Sequence, residues 1–284
     1  MWSSIVAAND GISAVIADAR VPSQVLHFSF GVFVTNERAE SYHRLIEPKI
    51  ACAMAAEFSA GGRPFLNANE IARQNASDGL NLVVTNTGRV ALQGQRAEKL
   101  RAAAYESSRK AMSSWNLRSF TNEVFDFNFH GEPKQAGAAF GFQAKRYTGT
   151  QIDDARISRD LEPWLWFATR RDALERPAGM SMAMLFVSFT PPKFEFSVQE
   201  QRILKLALDG HTDESIAEIA NASLSTVKKR FRLIYDKVEA ADSAGDSSGI
   251  RFSGDGMRGA EARRHLLNYL RAHPAEMRPY RSER

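Results

Sequence analysis

The feature that most constrains this chain is a stretch near its C-terminus, residues 196–238, in which apolar residues recur at helical spacing three times over. The first repeat covers residues 198–208 and is followed by Gly210, a residue type that often ends a helix. The second begins after Thr212 and the third at Ser223, and both residue types are favoured helix N-caps. The spacing therefore predicts three closely joined helices, which is the arrangement of a helix-turn-helix.

The third predicted helix, residues 224–238, separates its apolar residues from its charged ones. Segment 223–238 contains five basic residues and one acidic residue, whereas segment 193–240 contains eight of each. An ordinary solvated helix face is the alternative, but it does not require so uneven a distribution of charge. A helix that enters the major groove does require it, because phosphate contacts supply most of the affinity for DNA. The apolar residues at i, i+4, i+7 and i+11 form the opposite face: Val227, Phe231, Ile234 and Val238.

A set of residues in this stretch stands at the spacing of a known family: Glu200, Ile203, Leu204, Leu206, Gly210, Thr212, Ile216, Ala217, Ser223, Thr226, Val227, Lys228, Ile234, Lys237 and Val238. Through them the stretch resembles the DNA-binding domain of LuxR/GerE-type (NarL/FixJ-type) bacterial transcription regulators. The resemblance covers about a sixth of the chain and implies a C-terminal all-α helix-turn-helix domain over residues 193–284. It also implies binding to double-stranded DNA as a homodimer, with RNA polymerase as a further expected partner.

The resemblance also implies roles for single side chains, with the helix over residues 224–238 in the major groove. The side chains expected at or near base edges are Ser225, Lys228, Lys229 and Arg232. Those expected at phosphates are Thr212, Thr226, Arg230 and Lys237, and Ser223 belongs to the same surface as the helix cap. Residues 240–258 are expected to form an inserted loop. A further helix over residues 259–271 would then take the dimer-forming role of the family's fourth helix.

Residues 1–190 show strand and helix patterns that alternate along the chain, and they resemble a GAF- or PAS-like sensor. The fold class expected for the whole chain is α+β, with an N-terminal α/β sensor-like domain and the C-terminal helical domain. An alternative interpretation divides the N-terminal domain into two subdomains near residues 60–80. The Pro191-Pro192 pair is the expected linker. The patterns predict helices over residues 1–19, 36–58, 97–112 and 158–172, and strands over residues 28–34, 80–85, 90–92, 123–130, 138–147 and 182–189. Residues 86–88, with the sequence Asn-Thr-Gly, are expected to form a hairpin turn between the strands at 80–85 and 90–92.

Aromatic residues are the one sign of a ligand pocket in residues 1–190. The candidates to line such a pocket are Phe125, Phe127, Phe142, Trp164 and Trp166. Packing in an ordinary core explains the same residues, because aromatic side chains dominate any core of this size. A small-molecule effector is therefore one hypothesis, and control by protein–protein contact without any ligand is another.

Several classes of protein are disfavoured by the composition. With a single cysteine, Cys52, the chain has no internal disulfide and no multi-cysteine metal site. Its apolar neighbours predict that Cys52 is buried. No metal or cofactor is expected, and an enzyme is disfavoured because no nucleophile–base pair or glycine-rich phosphate loop is evident. We find neither a signal peptide nor a membrane-spanning run, and we therefore expect a cytoplasmic protein.

Overall fold

The structure is a computed structural model that describes residues 11–44, 48–125, 133–147, 163–175, 183–243 and 260–281. The chain is mixed α/β and divides into two compact units, Met1–Phe189 and Thr190–Arg284. The boundary between the units lies directly before the Pro191-Pro192 pair. The two are called the first and the second unit below.

The described residues of the first unit form one six-stranded sheet with the strand order β1-β2-β3-β4-β6-β5. Neighbouring strands are antiparallel except β3 and β4, which are parallel. The strands are β1 (Gly11–Ala17), β2 (Val25–Val34), β3 (Leu80–Arg89), β4 (Leu117–Phe125), β5 (Gln143–Arg146) and β6 (Pro163–Thr169). The helices are α1 (Asn36–His43), α2 (Ile50–Ser59), α3 (Ala68–Ala76), α4 (Gly94–Met112), α5 (Pro133–Phe140), α6 (Arg170–Leu174) and α7 (Ala183–Val187).

Helices cover both faces of this sheet, so the first unit has three layers. Successive strand residues point to opposite faces: Leu82 belongs to one core cluster and Val83 to the other. Helices α3, α4 and α7 pack on the Leu82 face through side chains such as Ile71, while α1 and α2 pack on the Val83 face through side chains such as Met54. Strands β2 and β3, which flank residues 60–80, pair along their length in this one sheet.

The hairpin expected at residues 86–88 does not form, and β3 continues through it to Arg89. Gly88 lies directly opposite Phe28 of β2, and a Cβ atom at Gly88 would come 2.3 Å from the Phe28 ring. Gly88 is therefore a strand residue that leaves room for the Phe28 ring, and it does not form a turn. The local turn pattern is overridden because β2 pairs with β3 on both sides of a bulge between Phe30 and Gly31, from Asn81 as far as Arg89.

Three further segments were predicted with the wrong element type. Residues 11–17 and 163–169 are strands where helices were expected, and residues 183–187 are a helix where a strand was expected. Apolar residues at positions 12, 15 and 16 suit a helix as well as a strand, but pairing with β2 decides for the strand. Strand β6 has apolar residues on both faces because Trp166 and Ala168 belong to one core cluster and Leu165 and Phe167 to the other, so its pattern does not alternate.

The remaining differences are local. The long helix expected over residues 36–58 is two helices, and the first is capped by Thr35, whose side chain accepts a hydrogen bond from the Arg38 amide. Residues 133–140 are helical, where a loop and the start of a strand were expected. Cys52 is exposed, contrary to the expected buried thiol, because it lies on the outer side of α2. The predictions for residues 1–10 and 126–130 lie outside the described residues.

The described residues of the second unit form α8 (Val198–Leu208), α9 (Asp213–Ala220), α10 (Leu224–Ser243), α11 (Ala260–Ala272) and a 3-10 helix, Pro274–Met277. The predictions for the first three helices and for residues 259–271 are confirmed within a few residues. Helix α10 includes residues 240–243, which were expected to open an inserted loop. No helix within the described residues is both long and apolar enough to cross a bilayer.

Candidate nucleic-acid interface

The three helices of the candidate interface begin and end at residues suited to those positions. Ser197 and Glu200 form a capping box at the start of α8, a feature that the sequence analysis missed although its serine and glutamate spacing is a known signal. After α8 the chain turns at Gly210, whose φ of 91° suits glycine. The Thr212 side chain accepts from the Ser215 amide 3.3 Å away and starts α9. Asn221, with φ of 51°, ends it.

The start of α10 is organised by the hydroxyl of Ser223. That oxygen accepts a hydrogen bond from the Thr226 amide at 3.1 Å, as an N-cap does. It also lies 2.8 Å from the hydroxyl oxygens of both Ser225 and Thr226. Three hydroxyl groups therefore cluster at the N-terminus of the helix, where the unpaired backbone N–H groups favour an anion such as a phosphate.

The apolar face of α10 packs into a core shared by all four helices of the second unit. Its four predicted residues, at positions 227, 231, 234 and 238, are all buried in that core. Helix α11 adds Ala262, Leu266, Leu267 and Leu270 to the same core. Its apolar face is thus covered within the unit, so a dimer through α11 would have to use its polar side.

The opposite face of α10 carries a stripe of exposed side chains, called the basic stripe below. It consists of Ser225, Lys228, Lys229 and Arg232, which are spaced as neighbours on one helix face and are all exposed. The three basic side chains make no hydrogen bond or ion pair with any described residue, so all three charges are open to solvent. Such an array can contact phosphates and base edges without first breaking an internal bond.

Two other predicted phosphate ligands have partners inside the second unit. The Lys237 ammonium lies 2.9 Å from the Glu200 carboxylate and 5.7 Å from the centre of the Phe196 ring. Arg230 donates to the side-chain oxygen of Gln199. Both contacts join α10 to the beginning of α8. They are side-chain bonds between distant parts of the sequence, which spacing along the chain does not reveal.

The Glu200 carboxylate is the centre of the first of these contacts. Burial raises its pKa, but the hydrogen bonds from Lys237 and Ser197 together outweigh burial and hold the pKa of Glu200 below its ordinary value. The carboxylate is thus ionised in neutral solution, and Lys237 compensates a charge that is mostly buried. We assign Lys237 this structural pairing in the free protein.

Two charged side chains near the C-terminus also hold the second unit together, and the sequence analysis missed their roles. Arg263 of α11 pairs with Asp213 at the start of α9 and donates to the backbone oxygen of His211 at 3.0 Å. Buried Glu276 accepts from the backbone amides of Lys193 and Phe194, each at 3.1 Å. It therefore ties the segment after the proline pair to the end of the chain. Burial raises the pKa of Glu276 despite these two hydrogen bonds.

The candidate pocket residues of the first unit lie in or against its core. Phe142 and Trp166 are buried and their rings stack, with centroids 5.6 Å apart, and Trp164 packs against the same cluster. The side chain of Phe125 and the whole of Phe127 lie outside the described residues. Core packing therefore accounts for the three aromatic side chains that the structure describes.

Comparison with known proteins adds no relative to this picture. No family model matches the chain, and no curated protein matches it at a significant level. Among the described residues, no group of His, Cys, Asp and Glu side chains is arranged to hold a metal ion. The resemblance of residues 196–238 to LuxR-type domains remains a prediction from the sequence.

Proposed function

We propose that this protein is a transcription regulator that binds double-stranded DNA through its second unit. The observation that carries the proposal is the basic stripe on α10, which presents three unpaired cations beside a cluster of hydroxyl groups at the helix N-terminus. Helices α8 and α9 precede α10 with the short turns of a helix-turn-helix. In this arrangement the N-terminal half of the third helix enters the major groove.

Charge along α10 supports a defined orientation on DNA. The exposed cations lie between positions 228 and 232, while the exposed acidic residues Asp236 and Glu239 lie farther along the helix. The acidic end would be repelled by phosphates, so the N-terminal half of α10 is the part that approaches the duplex. Ser225, Lys228, Lys229 and Arg232 are then the side chains nearest to base edges, with Thr212, Ser223, Thr226 and Arg230 beside the backbone.

The regulator would bind as a homodimer to an inverted repeat, because one short helix reads only a few base pairs. The first unit would control that binding through an effector or a protein partner. Its three-layer fold gives it a core independent of the second unit's core, as a separately responding module needs.

Selection from a random DNA library by the full-length protein, at two salt concentrations, tests the proposal. We expect enrichment of an inverted repeat, with affinity that falls steeply as salt rises. Lys228→Gln removes one cation from the interface, so fewer counterions are released from the DNA, and the magnitude of the slope of log affinity against log salt should fall by up to about 0.9, the value for one neutralised phosphate. Lys99→Gln, at an exposed position on α4 of the first unit, removes the same charge and should leave the slope unchanged.

Two results would overturn the proposal. One is the absence of any enriched sequence together with weak, salt-independent retention of DNA. The other is an equal loss of slope in Lys228→Gln and Lys99→Gln, because that would show a response to net charge and not to α10. An enriched single half-site bound by one protomer would refute the dimer while leaving the interface intact.

A further inference from the structure

The first unit contains an open cleft that the predicted aromatic residues do not line. Its volume is about 660 Å³, within the range of sites for small molecules. It lies beside α1, on the sheet face that α1 and α2 cover, at the start of β3 and β4 and the end of β6. The lining residues used below are Asn36, Glu40, Asp78, Asn81, Arg118 and Arg170, together with Ser119 and Thr169 of the floor.

The floor of the cleft is a row of polar side chains across three strands. Asn81, Ser119 and Thr169 are direct neighbours in the registers of β3, β4 and β6. Ser119 donates to Asn81 at 2.8 Å, and Asn81 donates to the side-chain oxygen of Asn36 at 2.7 Å. This chain of hydrogen bonds ends at the side-chain amide nitrogen of Asn36, which has no acceptor among the described residues. The side-chain amide of Asn36 is therefore one hydrogen-bond donor that remains available on this side of the cleft.

Two arginine side chains form another wall of the cleft. Arg170 donates through Nε and Nη2 to the backbone oxygen of Leu117 and through Nη2 to Asn116, which fixes its guanidinium in place. Its Nη1 makes no hydrogen bond with a described residue, and no carboxylate of the described chain pairs with it. Arg118 is exposed and likewise makes no ion pair there.

These two cations repel each other. Burial, and next the charge of Arg118, lower the pKa of Arg170. Gly79 keeps the guanidinium in this position, because a Cβ at Gly79 would lie 2.9 Å from Nη2 of Arg170 and 2.8 Å from the Asn116 carbonyl oxygen. A half-buried guanidinium beside a second cation is a position that an anion stabilises. One carboxylate oxygen can accept from the unused Nη1 of Arg170 while the other accepts from Arg118.

We propose that this cleft binds a small molecule that carries a carboxylate, with Arg118 and Arg170 pairing with the carboxylate oxygens. The side-chain amide nitrogen of Asn36 supplies a third donor. The acidic side chains in the lining differ in their availability: Glu175 already pairs with Arg171 at 2.8 Å, whereas Glu40 and Asp78 have no ion pair within the described residues. A ligand with an amino group as well as a carboxylate could pair with one of them.

This inference names the chemical class of an effector for the proposed regulator, but its geometry does not depend on DNA binding. Its test uses no DNA, so the two proposals fail separately. If the DNA proposal fails and the ligand binds, the cleft belongs to a sensor with another output. If no carboxylate ligand binds but DNA binding is observed, the proposal for the cleft is wrong, and the first unit would control DNA binding through contact with a protein partner.

The test is a thermal-shift titration of the full-length protein in which unfolding is monitored by tryptophan fluorescence. All four tryptophans, at positions 2, 115, 164 and 166, belong to the first unit, so the signal reports on the unit that contains the cleft. The probes are the proteinogenic L-amino acids, acetate, succinate and citrate, each at matched ionic strength with potassium chloride as the blank. We expect at least one probe to raise the Tm saturably, since a ligand that binds only the folded state stabilises it.

Variants show whether binding occurs at the arginine pair. Arg118→Gln should weaken the active probe about tenfold or more, because a charge-assisted pair is lost. Arg101→Gln, at an exposed position on α4 over the opposite sheet face, should leave its affinity unchanged. Amino acids that bind where plain carboxylates do not would assign the second contact to Glu40 or Asp78. The proposal is overturned if no probe gives a saturable shift, or if Arg118→Gln and Arg101→Gln bind equally well.

Discussion

Lys237 illustrates how a side chain expected at DNA can instead belong to the protein's own stability. We predict that Lys237→Met lowers the free energy of unfolding of the second unit while the salt dependence of DNA binding stays unchanged. Methionine keeps an unbranched apolar stem and removes the ammonium group, which lies 5.7 Å from the centre of the Phe196 ring. The change therefore removes the contacts of the ammonium, chiefly the pair with Glu200 at 2.9 Å and also the longer hydrogen bond to the Glu195 backbone oxygen at 3.4 Å.

The expected loss is about 1–2 kcal/mol. A hydrogen bond to a charged group contributes about 1.5–3 kcal/mol, but solvent screening reduces this because the Lys237 side chain is 36% exposed. The Glu200 side chain is only 11% exposed, so its carboxylate loses a partner that water replaces poorly. It keeps the bond from the Ser197 amide at 2.7 Å, which limits the loss.

Amide hydrogen exchange in α8 and α10 of the full-length protein measures this loss, because the tryptophans report only on the first unit. The difference between wild type and variant should also depend on pH. Since the folded pKa of Glu200 is below its ordinary value of 4.5, the stabilisation is present above that value and disappears as pH falls through the folded pKa.

Arg232→Gln is the matched comparison, because Arg232 is exposed and makes no hydrogen bond or ion pair with a described residue. It should leave exchange in the second unit unchanged and weaken DNA binding. The reasoning is refuted if Lys237→Met leaves the exchange rates of α8 and α10 as they are and lowers the salt slope by about one unit. That outcome would show that Lys237 contacts a DNA phosphate, as the sequence predicted.

Two further predictions concern the two cores. Ile234→Ala should cost about 2–5 kcal/mol, whereas Leu233→Ala should change stability little because Leu233 is 51% exposed. Amide hydrogen exchange in α10 of the full-length protein measures both, and equal losses would contradict the assigned face of α10. Burial, and next the charge of Lys145, lower the pKa of His43, so the first unit should lose stability as pH falls below 6.5, where the unfolded histidine takes up a proton. His43→Gln should reduce the dependence of the unfolding free energy on pH, measured by denaturation with tryptophan detection. An unchanged pH dependence would exclude His43 as the cause of the loss of stability.

Sequence reasoning succeeded in the second unit because its signals are local. The helical spacing of apolar residues, Gly210 after α8 and Thr212 before α9 each act within a few residues of the chain. The face of α10 that is exposed follows directly from its buried face. The basic stripe could therefore be read from the sequence with its residues in the right places.

The partners of single charges could not be read in the same way. Lys237 and Glu200 are separated by 37 residues, and Glu276 and Lys193 by 83. Nothing in the spacing of either pair indicates contact, because the packing of helices brings them together. The sequence thus identified α10 as basic, but the structure decided which of its cations are free.

The sheet of the first unit depended most on tertiary structure. Gly88 has the local pattern of a turn, and residues 163–169 have the aromatic cluster of a core helix, yet both lie in strands. The element formed in each case is the one that hydrogen-bonds to a strand distant in the sequence, β2 for Gly88 and β4 for β6. The cleft beside α1 depends on the same pairing, because its floor joins Asn81, Ser119 and Thr169 across three strands. The sequence by itself determined the helices of the candidate DNA interface, since their signals are short in range; only the tertiary structure decided the strands and the cleft, because backbone pairing over long separations outweighs local preference.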